Sequence, residues 1–290
     1  IPILAWVGLG ADGLSSSAYG PEEAFRAVHE HRYLAIALAL ATAGTVWLIA
    51  TAYSRIIEEF PHGGGGYLVA TKLLGERAGV ISGSALLIDY VLTITVSIAA
   101  AGDALFSFVP LDLHIWKLPV EMLLIAGLTM LNLRGVRESV LALTPIFLVF
   151  LLTHAILIGW GIIAHVPDMG ATARALDSDF HGGLATLGVA GLFMRFVHAY
   201  SLGSGTYTGI EAVSNGLQMM REPRVRTAKR TMLYMASSLS ITAAGLILCY
   251  LLWGVGFEPG KTLNAVLADR VAARLSLGDT FVVLTLFSEG

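Results

Sequence analysis

Long apolar runs alternate with short polar segments along most of this 290-residue chain. A helix that crosses a membrane needs about 20 residues, each rising about 1.5 Å. Seven runs are long enough to span, and an eighth is shorter. In chain order they cover residues 1–24, 33–57, 79–109, 118–133, 140–166, 183–220, 231–257 and 280–287. The pattern predicts an all-α integral membrane protein with about seven spans and part of an eighth.

Two of these runs contain polar interruptions. The first carries the segment 8–23, and the sixth is too long for one straight span and contains the glycine-rich segment 203–209. Backbone N–H and C=O groups without helical hydrogen bonds are tolerated at membrane depth only where they face protein or a water-filled cavity. Because paired broken spans are typical of transporters built from inverted repeats, we expect broken first and sixth helices. Spans one to five would form a first repeat over 1–166. Spans six, seven and the start of eight would form an incomplete second repeat over 167–290.

The composition supports this class of protein. Hydrophobic residues make up 56% of the chain, and its mean hydropathy is +0.74. Charged residues make up only 13%, against about 25% in ordinary globular domains. The net charge of −3 without a basic stripe gives no support to a nucleic-acid partner. The single cysteine, Cys249, allows no intramolecular disulfide and is expected to be a packing residue.

Loop charges predict the orientation of the spans. A dense basic cluster at 221–230 falls on the same side as the basic residues within 55–77 and 134–137. Since basic loops stay in the cytoplasm, that side is expected to be cytoplasmic, and the first span then runs from inside to outside. The chain begins inside one apolar run without a methionine and stops inside another. We therefore expect it to be a piece of a longer protein.

The first span carries an acid and a tyrosine that are candidate site residues. Asp12 lies about 18 Å into this span, and an ionisable residue at that depth indicates a functional site. It would act as a cation ligand or counter-charge, or alternatively cap freed amides at a helix terminus. Tyr19 follows two turns later on the same face. Alternatively, Tyr19 is one of the aromatic residues that commonly lie at the membrane boundary.

The third span carries a polar stripe. Asp89 lies near the expected midplane, and Thr93 and Ser97 follow at i+4 and i+8. A lipid-facing carboxylate would cost about 2.5–3.5 kcal/mol, so Asp89 is expected to face a functional interior. Ser97 could instead bond back to its own helix. Asp103 is expected to be solvated near the outer surface.

The sixth span contributes Thr208 and Glu211, which lie at and just beyond its predicted break. Glu211 could cap the second half of the span, whose N-terminus favours an anion. It could also take up and release a proton during transport, since another carboxylate nearby would favour its neutral form. The two roles are compatible.

Several sequence motifs resemble known binding or catalytic signatures but lack the other parts that those signatures require. The glycines at 8–13 match a dinucleotide fingerprint, which requires a βαβ unit that an all-helical chain lacks. The segment 60–67, FPHGGGGY, lacks the Lys-Ser/Thr pair of a phosphate-binding loop. It predicts a tight re-entry before a short helix at the membrane surface. The histidines form no metal-binding motif, and no nucleophile–base pair suggests an enzyme.

Three segments together resemble a known family. The glycine-rich segment 60–67 and the segment 208–216, TGIEAVSNG, are similar to signatures of the amino acid–polyamine–cation permease superfamily. Within it, the segment 12–22, DGLSSSAYGPE, resembles Kup-type potassium uptake proteins, most closely the KimA branch. The resemblance implies a LeuT-like fold and proton-coupled potassium import by alternating access. It also implies a homodimer in the plasma membrane, with a cytosolic C-terminal region for which this chain shows no counterpart.

The resemblance also assigns roles to individual residues. It implies no cofactor beyond the transported potassium and protons, and Glu211 would couple the proton. Potassium would be bound by Asp12, Tyr19, Asp89, Thr93 and Thr208, with Ser97 belonging to the same cation-binding set. The alternative on the same fold is an amino-acid or polyamine permease. An amino-acid carboxylate would be repelled by Asp12, whereas a polyamine would be attracted by the acids.

Overall fold

The computed structural model describes the backbone of residues 2–28, 30–134 and 136–290, and their side chains except at 2–4, 11, 12 and 136–139. These ranges form helices joined by turns, without a β-strand. The helices are α1 (Pro2–Ala27), α2 (Leu34–Glu59), α3 (Gly65–Leu74), α4 (Glu76–Phe106), α5 (Lys117–Arg134), α6 (Val136–Ile163), α7 (Met169–Leu202), α8 (Ala212–Asn215), α9 (Arg224–Leu252), α10 (Leu263–Leu275) and α11 (Gly278–Glu289). Short 3₁₀ helices cover Leu111–Trp116, Val166–Asp168, Gly203–Tyr207 and Leu217–Met219.

Five segments of the described chain are long and apolar enough to cross a membrane. They are Leu34–Glu59, Glu76–Phe106, Leu111–Arg134, Val140–Asn215 and Arg224–Leu252. Large apolar side chains point outward from them: Leu87, Ile88 and Val91 of α4 are all more than 60% exposed. Contiguous apolar surface of this kind marks a membrane-facing side. The prediction of a multi-pass all-α membrane protein is confirmed.

The first span is one continuous helix, so the predicted break at 8–23 is wrong. The glycines of α1 lie instead where other segments approach it closely. A Cβ on Gly13 would contact Met235 of α9, and a Cβ on Gly20 would collide with the side chain and backbone nitrogen of Thr206. A glycine inside a helix costs only about 1 kcal/mol relative to alanine. The close packing offsets that cost, and the helix continues.

Replacing Gly20 with alanine is expected to destabilise the protein. The added methyl group meets the Thr206 backbone nitrogen at 2.7 Å, and such overpacking costs about 1–3 kcal/mol. Gly44 of α2 is the matched control because a Cβ there meets nothing within 4 Å. Thermal unfolding in detergent should show a lower midpoint for Gly20→Ala and an unchanged or higher one for Gly44→Ala. Equal midpoints for the two variants would contradict the assignment.

The break in the sixth span is confirmed. Helix α7 ends at Leu202, a 3₁₀ turn follows, Thr208 is extended, and Gly209 has φ of +83°. The prediction of a second half-helix is wrong, because only the single turn α8 and another 3₁₀ turn follow. Glycines at 209 and 216 flank α8 and weaken helix propagation on both sides. Helix α7 also begins at Met169, before the apolar run itself starts, and it is interrupted by a kink at Gly188, where φ is +66° and ψ is 174°.

The glycine-rich segment before α3 forms the predicted tight turn. Gly63, Gly64 and Gly65 have φ values of +80°, +107° and +52°, a region that side chains other than glycine rarely adopt. A Cβ on Gly65 would also collide with the Asn215 side chain. The turn followed by a short helix is confirmed, and it places α3 against α8. The location of α3 at the membrane surface stays a prediction.

Helix α10 was not expected from the sequence, and it is hydrogen-bonded to the C-terminal part of α1. The backbone N–H of Leu263 donates to Glu22 Oε2 at 3.0 Å. The side-chain amide of Asn264 donates to the Ala18 carbonyl at 3.1 Å. Its apolar face joins the larger core cluster with α9 and α11, which also buries Cys249 as expected. The helix is short and amphipathic, so a search for long apolar runs passes over it.

Candidate functional site

The break after α7 lies against α1 through three hydroxyl groups. The Oγ of Ser16 and the Oγ1 of Thr208 are 2.8 Å apart, and Tyr19 donates its hydroxyl to Ser16 Oγ at 3.3 Å. Thr208 also donates to the Gly205 carbonyl at 2.9 Å. The structure therefore brings the predicted residues Tyr19 and Thr208 together through Ser16. We call these three residues the hydroxyl cluster.

A cavity of about 380 Å³ adjoins the hydroxyl cluster through Tyr19. We call it the outer cavity, because it lies at the end of α1 and α4 away from the basic segment 221–230. Ser97 lines it, and the Ser97 hydroxyl has no hydrogen-bond partner among the described residues. The alternative in which Ser97 bonds back to α4 is therefore not observed. Its oxygen remains available to a ligand in the cavity.

Acidic and basic side chains are mixed around the outer cavity. Arg26 binds Glu22 with 2.6 Å between Nη2 and Oε1. Asp103 pairs with Lys117 while its side chain stays 59% exposed, which confirms its predicted solvation. Lys261 donates to Asp269 at 2.6 Å, and this hydrogen bond raises the pKa of Lys261 above its usual range. Lys261 therefore keeps its positive charge in neutral solution.

A second pocket, of about 270 Å³, lies further along α4 on the other side of the hydroxyl cluster. We call it the inner pocket. Asp89 and Glu211 both line it, together with Tyr53 and Asn215. The described lining contains these two carboxylates and no lysine or arginine. A pocket of that composition attracts cations and repels anions.

Asn215 connects the inner pocket to its surroundings. Its side-chain amide donates to the Tyr90 hydroxyl of α4 at 2.8 Å, and its carbonyl oxygen abuts Gly65. The glycine turn before α3, the break after α7 and helix α4 therefore meet at this residue. Sequence reasoning quoted Asn215 only as part of a motif. The signal was its position one turn after Glu211, which places both on the same face of a helical turn.

The three predicted residues of α4 lie at different levels. Ser97 faces the outer cavity and Asp89 faces the inner pocket, separated by about 12 Å along the helix. Thr93 lies between them, half-buried, and lines neither space. The stripe predicted from their spacing thus runs from one cavity to the other.

The structure therefore divides the predicted residues between two spaces and a connecting cluster. Asp89 and Glu211 share the inner pocket, and Tyr19 and Ser97 share the outer cavity. The Asp12 side chain lies outside the described residues. Sequence reasoning missed Ser16, because three consecutive serines look alike until the rotation of α1 is known.

Comparisons with known proteins agree with this architecture. The family described as Amino acid permease matches residues 14–285. Potassium transporter KimA of Bacillus subtilis (strain 168) is 33% identical over 282 residues, covering 92% of this chain and 44% of that protein. The chain thus spans less than half the length of this relative. The resemblance seen in the sequence is confirmed, as is the prediction of a transporter rather than an enzyme. The chain belongs to the amino acid permease family.

Proposed function

We propose that this chain carries the ion pathway of a secondary transporter that imports potassium together with protons by alternating access. The observation that carries the proposal is the shared inner pocket of Asp89 and Glu211. Similarity to a potassium transporter supports the choice of ion. The hydroxyl cluster supplies neutral oxygens between the two spaces, and oxygen ligands replace the hydration shell of an alkali cation.

Charge balance suggests how the two ions are coupled. Two ionised carboxylates in one small pocket repel each other, and moving them uncompensated through a low-dielectric core is unfavourable. One potassium ion at Asp89 and one proton on Glu211 would neutralise both charges of the described lining. With both ions bound, the inner pocket could then close to one side of the membrane and open to the other. This reasoning proposes one proton for each potassium ion.

The pathway would run in three stages along α4. A cation in the outer cavity would first contact Ser97 and Tyr19. It would then pass the hydroxyl cluster near Thr93 and Thr208, and reach Asp89 in the inner pocket. Asp12 on α1 would add a further carboxylate. Backbone carbonyl groups of Gly203–Tyr207 would complete the coordination of the cation.

We further infer the wider assembly from the same resemblance. The two halves, 1–166 and 167–290, would be inverted repeats of a LeuT-like fold, and the whole protein would be a homodimer in the plasma membrane. The alternative function is an amino-acid or polyamine permease, which the matching family favours by its description. The acidic inner pocket opposes a substrate carboxylate but accepts a polyamine.

The decisive experiment is potassium accumulation by the full-length protein in proteoliposomes, with the outside made more acidic than the inside. For one proton per potassium ion, each unit of pH difference should raise the accumulation ratio by up to about tenfold. Accumulation that ignores the pH gradient would contradict symport. Uptake of putrescine or arginine in place of potassium would instead establish the alternative.

A further inference from the structure

A groove runs between α2 and α9 on the surface of the molecule, apart from the proposed pathway. Its volume is about 700 Å³, within the range of about 300–1,000 Å³ that is usual for small-molecule sites. Helix α2 contributes Trp47, Thr51 and Ser54, which share one helical face at i, i+4 and i+7. Tyr53 lines the inner pocket instead, so the two spaces lie on different faces of α2. We call the surface space the α2–α9 groove.

One end of the α2–α9 groove is basic. Arg226, Lys229 and Arg230 line it at i, i+3 and i+4 on the first two turns of α9. Lys229 is paired with Glu58 of α2. Arg226 and Arg230 are exposed and form no ion pair with any residue that the structure describes. This end of the groove therefore presents two guanidinium groups to a ligand.

The other end of the groove is apolar. Met232, Leu233 and Ala236 continue the lining along α9, away from the arginines. Trp47 joins them from α2, about 16 Å before Glu58 and therefore away from the charged end. Trp47 and Leu233 are 42% and 49% exposed, and large apolar side chains exposed in this way are typical of a membrane-facing surface. The groove thus passes from a cationic end into an apolar one.

We propose that the α2–α9 groove binds one anionic phospholipid of the surrounding membrane. The lipid phosphate binds Arg226 and Arg230, and one acyl chain lies along Met232, Leu233 and Trp47. Guanidinium groups bind phosphate oxygens through paired, charge-assisted hydrogen bonds. Basic pockets between membrane helices bind anionic lipid headgroups in the same way.

The combination of the two ends selects this occupant over simpler ones. A soluble phosphate would satisfy the arginines but would leave the apolar end uncovered. A neutral lipid would cover the apolar end but would leave Arg226 and Arg230 without an acidic partner. An anionic phospholipid matches both ends across the distance of about 15 Å between Arg226 and Ala236 along α9.

Native mass spectrometry of the delipidated full-length protein in detergent tests the site without any transport. Phosphatidylglycerol and phosphatidylcholine with the same acyl chains are added separately. Since each basic residue near the membrane surface contributes about fivefold to the binding of an anionic lipid, the first phosphatidylglycerol should bind about 25-fold more tightly than the first phosphatidylcholine. Equal affinities in the wild type would overturn the proposal, even if no variant folds.

The double variant Arg226→Gln with Arg230→Gln should lose this preference. It removes both charges without breaking an ion pair in the described part of the chain. Arg221→Gln is the matched control, because Arg221 is exposed in the same basic segment but does not line the groove. The control should keep the preference of about 25-fold. A double variant that keeps it, or a control that loses it to the same extent, would assign the effect to general surface charge and refute the site.

The apolar end is tested with glycerol phosphate, which carries the phosphate without acyl chains. Because each buried CH₂ group contributes about fourfold to lipid binding, glycerol phosphate should bind more than about 100-fold more weakly than phosphatidylglycerol. Leu233→Asn should weaken lipid binding, whereas Ile241→Asn should not, since Ile241 is 65% exposed on α9 outside the groove.

Two outcomes of these measurements would replace the lipid with another occupant. Equal binding of glycerol phosphate and phosphatidylglycerol would make the α2–α9 groove a site for a soluble anion. Phosphatidylglycerol that binds monomers and is excluded from dimers would assign the groove to a second copy of the chain. Either result overturns the proposal.

Discussion

Asp89→Asn should reduce potassium uptake at low external potassium by more than about 100-fold. The substitution keeps the size and the polar oxygen of the side chain but removes a charge that faces Glu211 across the inner pocket. A carboxylate about 4 Å from a bound cation contributes about 4 kcal/mol at an effective dielectric constant of about 20, and each factor of ten corresponds to about 1.4 kcal/mol. The measurement is initial uptake of potassium or rubidium into proteoliposomes containing equal amounts of protein.

The control for this variant is Asp177→Asn. Asp177 lies on α7 with its side chain 74% exposed, and it belongs to neither cavity. It should therefore transport as the wild type does. Wild-type uptake by Asp89→Asn would show that the inner pocket does not hold the ion.

Glu211→Gln should separate potassium movement from the proton gradient. Glutamine preserves the hydrogen-bonding shape of a protonated glutamate but cannot release a proton. The wild type should accumulate up to about tenfold more potassium for each unit of pH difference, whereas the variant should accumulate the same amount with and without the gradient. Exchange of potassium across the membrane at equal concentrations should survive, because the pocket in the variant resembles the protonated state.

Potassium exchange at equal concentrations distinguishes a loss of proton coupling from a general loss of transport. Full gradient-driven accumulation by Glu211→Gln would place the coupling proton elsewhere.

Much of the fold was predictable because most spans are continuous apolar runs. The break at 203–209 was predictable from its glycines and from the excess length of its span. The same residue types misled in α1, where the glycines allow close packing against Met235 and Thr206 rather than a break. A glycine can break a helix or allow close packing, and only the tertiary contacts show which of the two it does.

The candidate site was predictable where a charge stood alone in an apolar run. Asp89 and Glu211 were found for that reason, and the structure places them in one pocket. Ser16 was missed because its role depends on which way α1 faces. The contact between His154 and Glu289 was missed because the two residues lie on helices far apart in sequence, and neither belongs to a local motif. Contacts of that kind come from packing rather than from spacing.

The attachment of α10 to α1 limits how the C-terminal part of α1 is able to move. Two hydrogen bonds, from Leu263 to Glu22 and from Asn264 to Ala18, join the start of α10 to consecutive turns of α1. A tilt of α1 must either carry α10 with it or break both bonds at once. The connection from α9 to α10 covers residues 253–262 and contains Gly254 and Gly260 at positive φ. If α1 tilts while these two bonds persist, α10 moves with it, and the connection to α9 must change its conformation.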